Sequence, residues 1–279
     1  MIIFVGVKKS VFLKKINNIH DKFFKTIFSF REEAEDFVKH TFPKRLVECL
    51  DFSTFKNETE TYIDNELGES MSDLMYSCTY NGLVSIKIVL LFEHKSYVEQ
   101  YPHFQVLRYL LNVWENAAKQ KQRPPFVVPI LFYHGKQKWK YQKFTSYFEH
   151  IDKQLKRFLP NFDFLFININ ELGDTQIQKI FEMQTLRSAL LVMKHIFEKQ
   201  TFWVHFEKIL KQNTEMISTE HGTAMFKTFT IYISNYLNIE PMELVEKIRK
   251  FSPEYYQNMM LMEDKTYLRG RQEGWQEGR

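Results

Sequence analysis

Apolar residues recur at three- and four-residue steps early in the chain: Phe23, Phe24, Ile27 and Phe28, then Ala34, Phe37, Val38 and Phe42. That spacing predicts helix over residues 20–51, broken at Pro43 and resumed by Leu46, Val47 and Leu50. From 52 to 67 the pattern loosens into an alternation with Thr, Tyr and Ile, which predicts one extended strand. Asn81-Gly82 separates residues 73–80 from 83–92, the local signature of a hairpin. Phe104, Leu107, Leu110, Leu111 and Trp114 set one apolar face on a helix running to Lys119. After Pro124-Pro125, residues 126–133 predict a buried strand and 162–169 a further short one. Helix, strand, strand, strand, helix, strand implies an α/β fold, with helices packed around a mixed sheet.

Beyond residue 170 the pattern is helical throughout. Asp174 and Thr175 can cap a long helix carrying Ile177, Ile180, Phe181, Leu186, Leu190 and Met193; shorter runs follow over 202–210, 224–237 and 242–248. The chain therefore divides into an α/β core over 1–170, a helical region over 171–265 and a tail over 266–279. The helical region shows no chemistry in its spacing and suits packing or pairing with a second copy of the chain. The tail repeats Gln-Glu-Gly, a low-complexity composition.

Composition narrows the class. Apolar residues make up 44% and charged residues 26% of 279, the balance of a globular chain with a large core, and 27 Phe make that core bulky. The net charge of +4 permits an anionic partner without requiring one. Cys49 and Cys78 are too few and too far apart for a disulfide framework or zinc knuckle, which points to a reducing cytoplasm. No apolar run reaches the roughly 18 residues of a membrane span, and the N-terminus lacks the features of a signal segment. HExxH, P-loop, GxSxG and dinucleotide-loop patterns are absent from the sequence, so those enzyme classes lose their anchors.

The candidate chemistry lies at the end of the apolar run 83–92, where Glu93-His94-Lys95 follows, and upstream at Ser72-Asp73-Leu74. Two carboxylates can hold Mg²⁺, and an ammonium two residues from one of them can steady a water or a phosphate oxygen. On a strand Glu93 and Lys95 face the same way and His94 the other. The hairpin register tests whether Asp73 joins them. A two-residue turn pairs Tyr80 with Leu83 and leaves Glu93 on the wrong face. A three-residue loop pairing Thr79 with Leu83 restores the facing but leaves Asp73 opposite Val89, roughly 13 Å short of Glu93. Asp73 and the acid-x-lysine also read simply as the solvated ends of two strands. Lys136, Lys138, Lys140 and Lys143, interleaved with Trp139 and Tyr141, suit contacts to a DNA backbone and equally a solvated face.

Several blocks in order extend this reading. They are His20-Asp21 with Phe24-Lys25, Ala34-x-x-Phe37, Pro43, residues 72–77, Glu93-His94-Lys95-Ser96, Phe104-x-x-x-Arg108-Tyr109 and residues 128–135. Over roughly 18–170 the series resembles the Rpn (YhgA-like) family of recombination-promoting nucleases, within the PD-(D/E)xK superfamily. The resemblance implies a restriction-endonuclease-like core and a Mg²⁺-dependent DNA endonuclease linked to recombination or mobile elements. It makes Asp73 and Glu93 the metal ligands and Lys95 the third catalytic residue. Gln105 stands where the resemblance implies an arginine. Glu32 or Glu33 would supply a further acid from the first helix, although Glu32-Glu33 with Glu35-Asp36 also reads as a solvated acidic face. His20 either supports the site or belongs with Asp21 at the start of the first helix. A catalytically silent member binding DNA or a protein partner through the same core is the alternative.

Overall fold

The structure is a computed structural model describing residues 16–58, 74–93, 99–148, 150–258 and 260; of 89–93, 215, 217 and 241 it describes the backbone alone. The chain forms two compact units. One spans Phe28–Leu172; the other joins the described residues up to Ile27 to the chain from Gly173 onward.

In the first unit, β1 (Leu50–Asn57), β2 (Leu74–Tyr80), β3 (Val84–Glu93), β4 (Phe126–Tyr133) and β5 (Leu165–Asn168) lie side by side in chain order. The first three are antiparallel and the last three parallel. A hairpin suffices to join β2 to β3, whereas the parallel step from β3 to β4 needs a crossover, supplied by the helix Pro102–Lys119. The mixed sheet with flanking helices agrees with the sequence pattern, and residues 126–133 form a strand with the predicted bounds.

The two faces of the sheet bury different sets. On one, Tyr76 stacks on Phe55 with centroids 4.7 Å apart, while Phe28 and Phe37 converge on Phe132. On the other, Met75, Leu131 and Tyr133 pack against Val106, Tyr109, Leu110 and Val113 of the crossover helix. That helix therefore presents a different stripe from the predicted one. Phe104 and Leu111 are exposed, because the sheet meets the row through 106, 110, 113 and 117. Phe104 instead packs sideways on Tyr101, with centroids 5.3 Å apart.

The predicted helix over 20–51 is three helices, α1 (Ile19–Ser29), α2 (Arg31–Thr41) and α3 (Lys44–Val47), followed by β1. Pro43 does precede α3, but the break at Phe30 has no proline or glycine. Side chains from the sheet hold the end of α1 open: Tyr76 donates its hydroxyl to the Phe28 carbonyl, and Asn57 donates to that of Ser29. Orphan helix carbonyls require such partners. Of the strand predicted over 52–67, residues 52–57 belong to β1, and 59–67 lie outside the described residues.

The second unit is helical, as the sequence predicts. Numbering the crossover helix α4 and the short helix Lys153–Lys156 α5, it contains α6 (Asp174–Ile180), α7 (Gln184–His195), α8 (Phe202–Gln212), α9 (Glu220–Leu237) and α10 (Pro241–Phe251). The single long helix predicted from Asp174 is two, divided at Phe181–Met183. Arg187 reaches back across the break, donating to the carbonyls of Gln178 (3.1 Å) and Glu182 (3.3 Å). Nor do Asp174 and Thr175 cap it: Gly173 is the N-cap residue, its N–H donating to the Gln176 side chain. Phe23 of α1 stacks on Tyr232 with centroids 4.0 Å apart. Among the described residues no helix is long and apolar enough to cross a membrane.

Two features of the first unit give measurable consequences. A Cβ on Gly135 would lie 2.5 Å from the hydroxyl of Tyr133, a fully buried ring whose O–H donates to the Gln137 carbonyl. Gly135→Ala should therefore cost about 1–3 kcal/mol by overpacking, read as a lower urea midpoint; an unchanged midpoint would mean the ring yields freely. His103, in the first turn of α4, is buried among Phe144, Tyr147, Phe162 and Phe164, with Nδ1 2.6 Å from the Tyr147 hydroxyl. Burial holds its pKa below the usual histidine value, with Asp163 opposing. The unfolded chain then takes up this proton first on acidification. The stability involved is intact above about pH 6.5 and is lost as pH falls below it. The melting temperature should drop from pH 7 to pH 5, and drop less in His103→Phe; equal drops would assign the effect elsewhere.

Candidate active site

The hairpin between β2 and β3 decides what the strand-end acids can do. Asn81 and Gly82 both take left-handed conformations, with φ of 50° and 67°, and the Leu83 N–H donates to the Tyr80 carbonyl at 3.1 Å. Few residues other than Asn and Gly tolerate that pair of angles. The ladder proper starts at Tyr80↔Val84 and runs to Leu74↔Leu90, so Leu83 is an extra residue, and it is exposed. A three-residue loop thus forms, one position later than the predicted one. Odd-numbered residues of β2 pair with odd-numbered residues of β3 and share a face, as Ser77 and Lys87 do. Leu74 pairs with Leu90 rather than with Ile88, which carries β2 two residues nearer the end of β3.

Glu93 is the last residue of β3, and its backbone is in register with Tyr133, the last residue of parallel β4. The carboxyl ends of two parallel strands therefore lie side by side there, the usual place for a ligand in a sheet with helical crossovers. Asp73, His94 and Lys95 lie outside the described residues, as does the side chain of Glu93.

The supporting candidates separate. Of Glu32 and Glu33 on α2, the second is fully buried, and Asp36 is buried as well. The reading of this run as a wholly solvated acidic face is thereby corrected: α2 turns 33, 36 and 37 inward together, one helical turn apart. Both glutamates, Glu32 and Glu33, act on Tyr76 through their charge. Burial pushes the Tyr76 hydroxyl well up, the Asn57 hydrogen bond opposes this, and the Glu33 charge adds to it. Gln105 is half-buried in the first turn of α4. His20 sits in the other unit, its Nδ1 2.7 Å from the Tyr232 hydroxyl and its ring against Phe197 and Tyr236. That is a packing position. Asp21 follows in the first turn of α1 and pairs with Lys25 at 2.8 Å.

His134, one residue past the end of β4, is entirely buried. Lys136, Lys138 and Lys140 are exposed, while Trp139 between them is buried edge-on to Tyr133. The lysines thus alternate outward along a segment anchored by its tryptophan. They leave the sheet at the same end as Glu93.

One partly buried charge group was not legible from the motifs. Glu58 takes a hydrogen bond from Ser77 (2.9 Å) and ion pairs from Lys87 and Lys56. Burial, and then Lys56, hold the Lys87 ammonium below the usual lysine value. A lysine inside the apolar run 83–92 was the available signal. Lys87 lies six residues before Glu93, roughly 20 Å along the strand, so this group belongs to the far end of β3.

The chain is 28% identical over 264 residues to the inactive recombination-promoting nuclease-like protein RpnE of Escherichia coli (strain K12), covering 93% of this chain and 85% of that protein. It is 29% identical over 211 residues to the recombination-promoting nuclease RpnD of Escherichia coli O157:H7, covering 74% and 78%. To the recombination-promoting nuclease RpnA of strain K12 it is 31% identical over 191 residues, covering 67% and 63%. No solved structure matches the chain. Residues 18–222 match the family described as "Putative transposase, YhgA-like", and the chain belongs to that family.

Proposed function

We propose that the protein is a metal-dependent DNA nuclease acting in recombination, built on a restriction-endonuclease-like core. The observation that carries the reading is the odd-to-odd register of β2 and β3, because Asp73 and Glu93 both hold odd positions. Under the two-residue turn they would have opposed each other across the sheet. The order α2, β1, β2, β3, α4, β4, with β4 parallel to β3, supports the finer fold assignment. The relatives RpnD and RpnA are named nucleases.

In this reading Asp73 and Glu93 hold Mg²⁺, an ion that favours oxygen donors and keeps several waters. Bound there, it supplies charge neutralisation on the phosphate and activation of water. Lys95 places an ammonium where the attacking water or a phosphate oxygen is steadied. Lys136, Lys138 and Lys140 hold the DNA backbone without reading its sequence. Glu33 is fully buried, so its part in this reading is to support the core rather than to touch the phosphate. The helical unit would pair two copies for cuts on both strands.

The name of RpnE favours a second reading, a silent member that binds DNA without cutting it. Supercoiled plasmid treated with purified protein separates the two. Nicking in Mg²⁺ should stop in EDTA and fall at least about a hundredfold in Asp73→Ala and Glu93→Ala, the scale of several kcal/mol of lost charge stabilisation. Folded protein that retards the plasmid in a gel yet leaves it intact in Mg²⁺ and Mn²⁺ would establish the silent reading.

A further inference from the structure

The helical unit contains a second constellation of ligand-type side chains. Asp174 opens α6, His195 closes α7, His205 lies in the first turns of α8, and Glu198 sits in the link between α7 and α8. The imidazoles of His195 and His205 lie face to face, centroids 3.7 Å apart and planes 6° from parallel. A carboxylate stands at each edge of this pair. Asp174 Oδ2 is 2.9 Å from His195 Nε2 and 3.8 Å from His205 Nδ1. Glu198 takes the other nitrogen of each ring, 3.4 Å from His195 Nδ1 and 3.4 Å from His205 Nε2. Lys194 occupies the other Asp174 oxygen, Oδ1, at 2.8 Å.

We propose that Asp174, His195 and His205 form a binding site for a divalent transition-metal ion of zinc type, with Glu198 orienting both imidazoles from behind. One donor atom from each of the three residues lies within 4.8 Å of the others. Tetrahedral zinc with bonds of about 2.0–2.1 Å sets its donors roughly 3.3–3.4 Å apart, between the two distances Asp174 Oδ2 makes to the rings. A carboxylate on the non-ligating nitrogen is the usual second partner of a metal-binding histidine, and here one carboxylate serves two rings. Two imidazoles with one carboxylate favour zinc, copper or nickel over Mg²⁺. Bringing both nitrogens onto one ion turns the rings out of parallel; His205, 29% exposed, has room to move, and Asp174, 25% exposed, opens the site to solvent.

For two of the three donors the surroundings act in the direction ligation needs. Burial alone would raise the Asp174 carboxyl, but Lys194 and His195 hold it below the usual carboxylate range. His205 is held below the usual histidine value by burial, then by the neighbouring His195, while Glu198 and Asp174 oppose and Lys208 adds.

The test uses full-length, metal-stripped protein carrying Asp73→Ala and Glu93→Ala, so that the strand-end acids do not contribute. Zn²⁺ is titrated against a chromophoric chelator, and Co²⁺ reports coordination by its visible bands. One equivalent should bind, with tetrahedral cobalt bands. Glu198→Gln should weaken it about 10–100-fold. His205→Gln should weaken it at least about tenfold and abolish the bands, with circular dichroism unchanged. Zinc affinity equal in parent and His205→Gln, or no binding to the folded parent, overturns the proposal and leaves a stacked imidazole pair clamped by two carboxylates.

Discussion

The left-handed pair Asn81-Gly82, with Leu83 left outside the ladder, governs the rest of the α/β unit. Strand side chains alternate with a period of two, so one residue more or less in this loop would exchange the faces of β3 relative to β2. It would set Lys87 against the aromatic face and Ile88 opposite Ser77. The observed register avoids both. Ile88 pairs with Tyr76 and is fully buried, while Lys87 pairs with Ser77, beside the carboxylate of Glu58. The charge group at one end of the hairpin and the candidate acids at the other therefore depend on the same turn.

Burial of polar groups follows the same division. Each acid taken inside needs a compensating partner, or its ionised form is strongly disfavoured. Asp36 has His40 at 2.7 Å, one helical turn along, and the partly buried Glu58 has two lysines. Tyr76 shows how one side chain can settle two demands. Its ring fills the aromatic face against Phe55, and its hydroxyl closes the end of α1. Loss of that hydroxyl would leave a helix carbonyl in the core without this donor, so its weight in the fold exceeds its apolar area.

Local signals in the sequence located what local physics controls. The hairpin, the bounds of β4 and the helical character beyond residue 170 all come from period and turn chemistry. The breaks at Phe30 and Phe181–Met183 were not legible, because neither contains Gly or Pro. Each is held by side chains acting from a distance: Tyr76 and Asn57 for the first, Arg187 for the second. The face of α4 failed for a related reason. Phe104 and Leu111 fit an apolar stripe as well as Val106 and Val113 do, and only the sheet beneath chooses between them. Asp73, Glu93 and Lys95 were legible as a spacing, but the register of β2 on β3 is a property of the loop. Burial of Glu33 rather than Glu32 depends on how α2 is rotated, which an acidic run does not encode.

The two sets of candidate ligands differ in a way that has chemical consequences. Oxygen donors from Asp73 and Glu93 suit a small, hard ion that retains its waters, whereas paired imidazoles suit a borderline ion that gives them up. If both proposals hold, the donor sets differ enough that Mg²⁺ competes poorly for the imidazole pair. Affinity alone would not keep the two metals apart, because zinc binds most mixed sites more tightly than magnesium does. Separation comes from the donor sets and from Lys194, whose hold on one Asp174 oxygen leaves a single carboxylate oxygen for an ion. A hard cation seeking six oxygens finds one there, and two nitrogens it binds poorly.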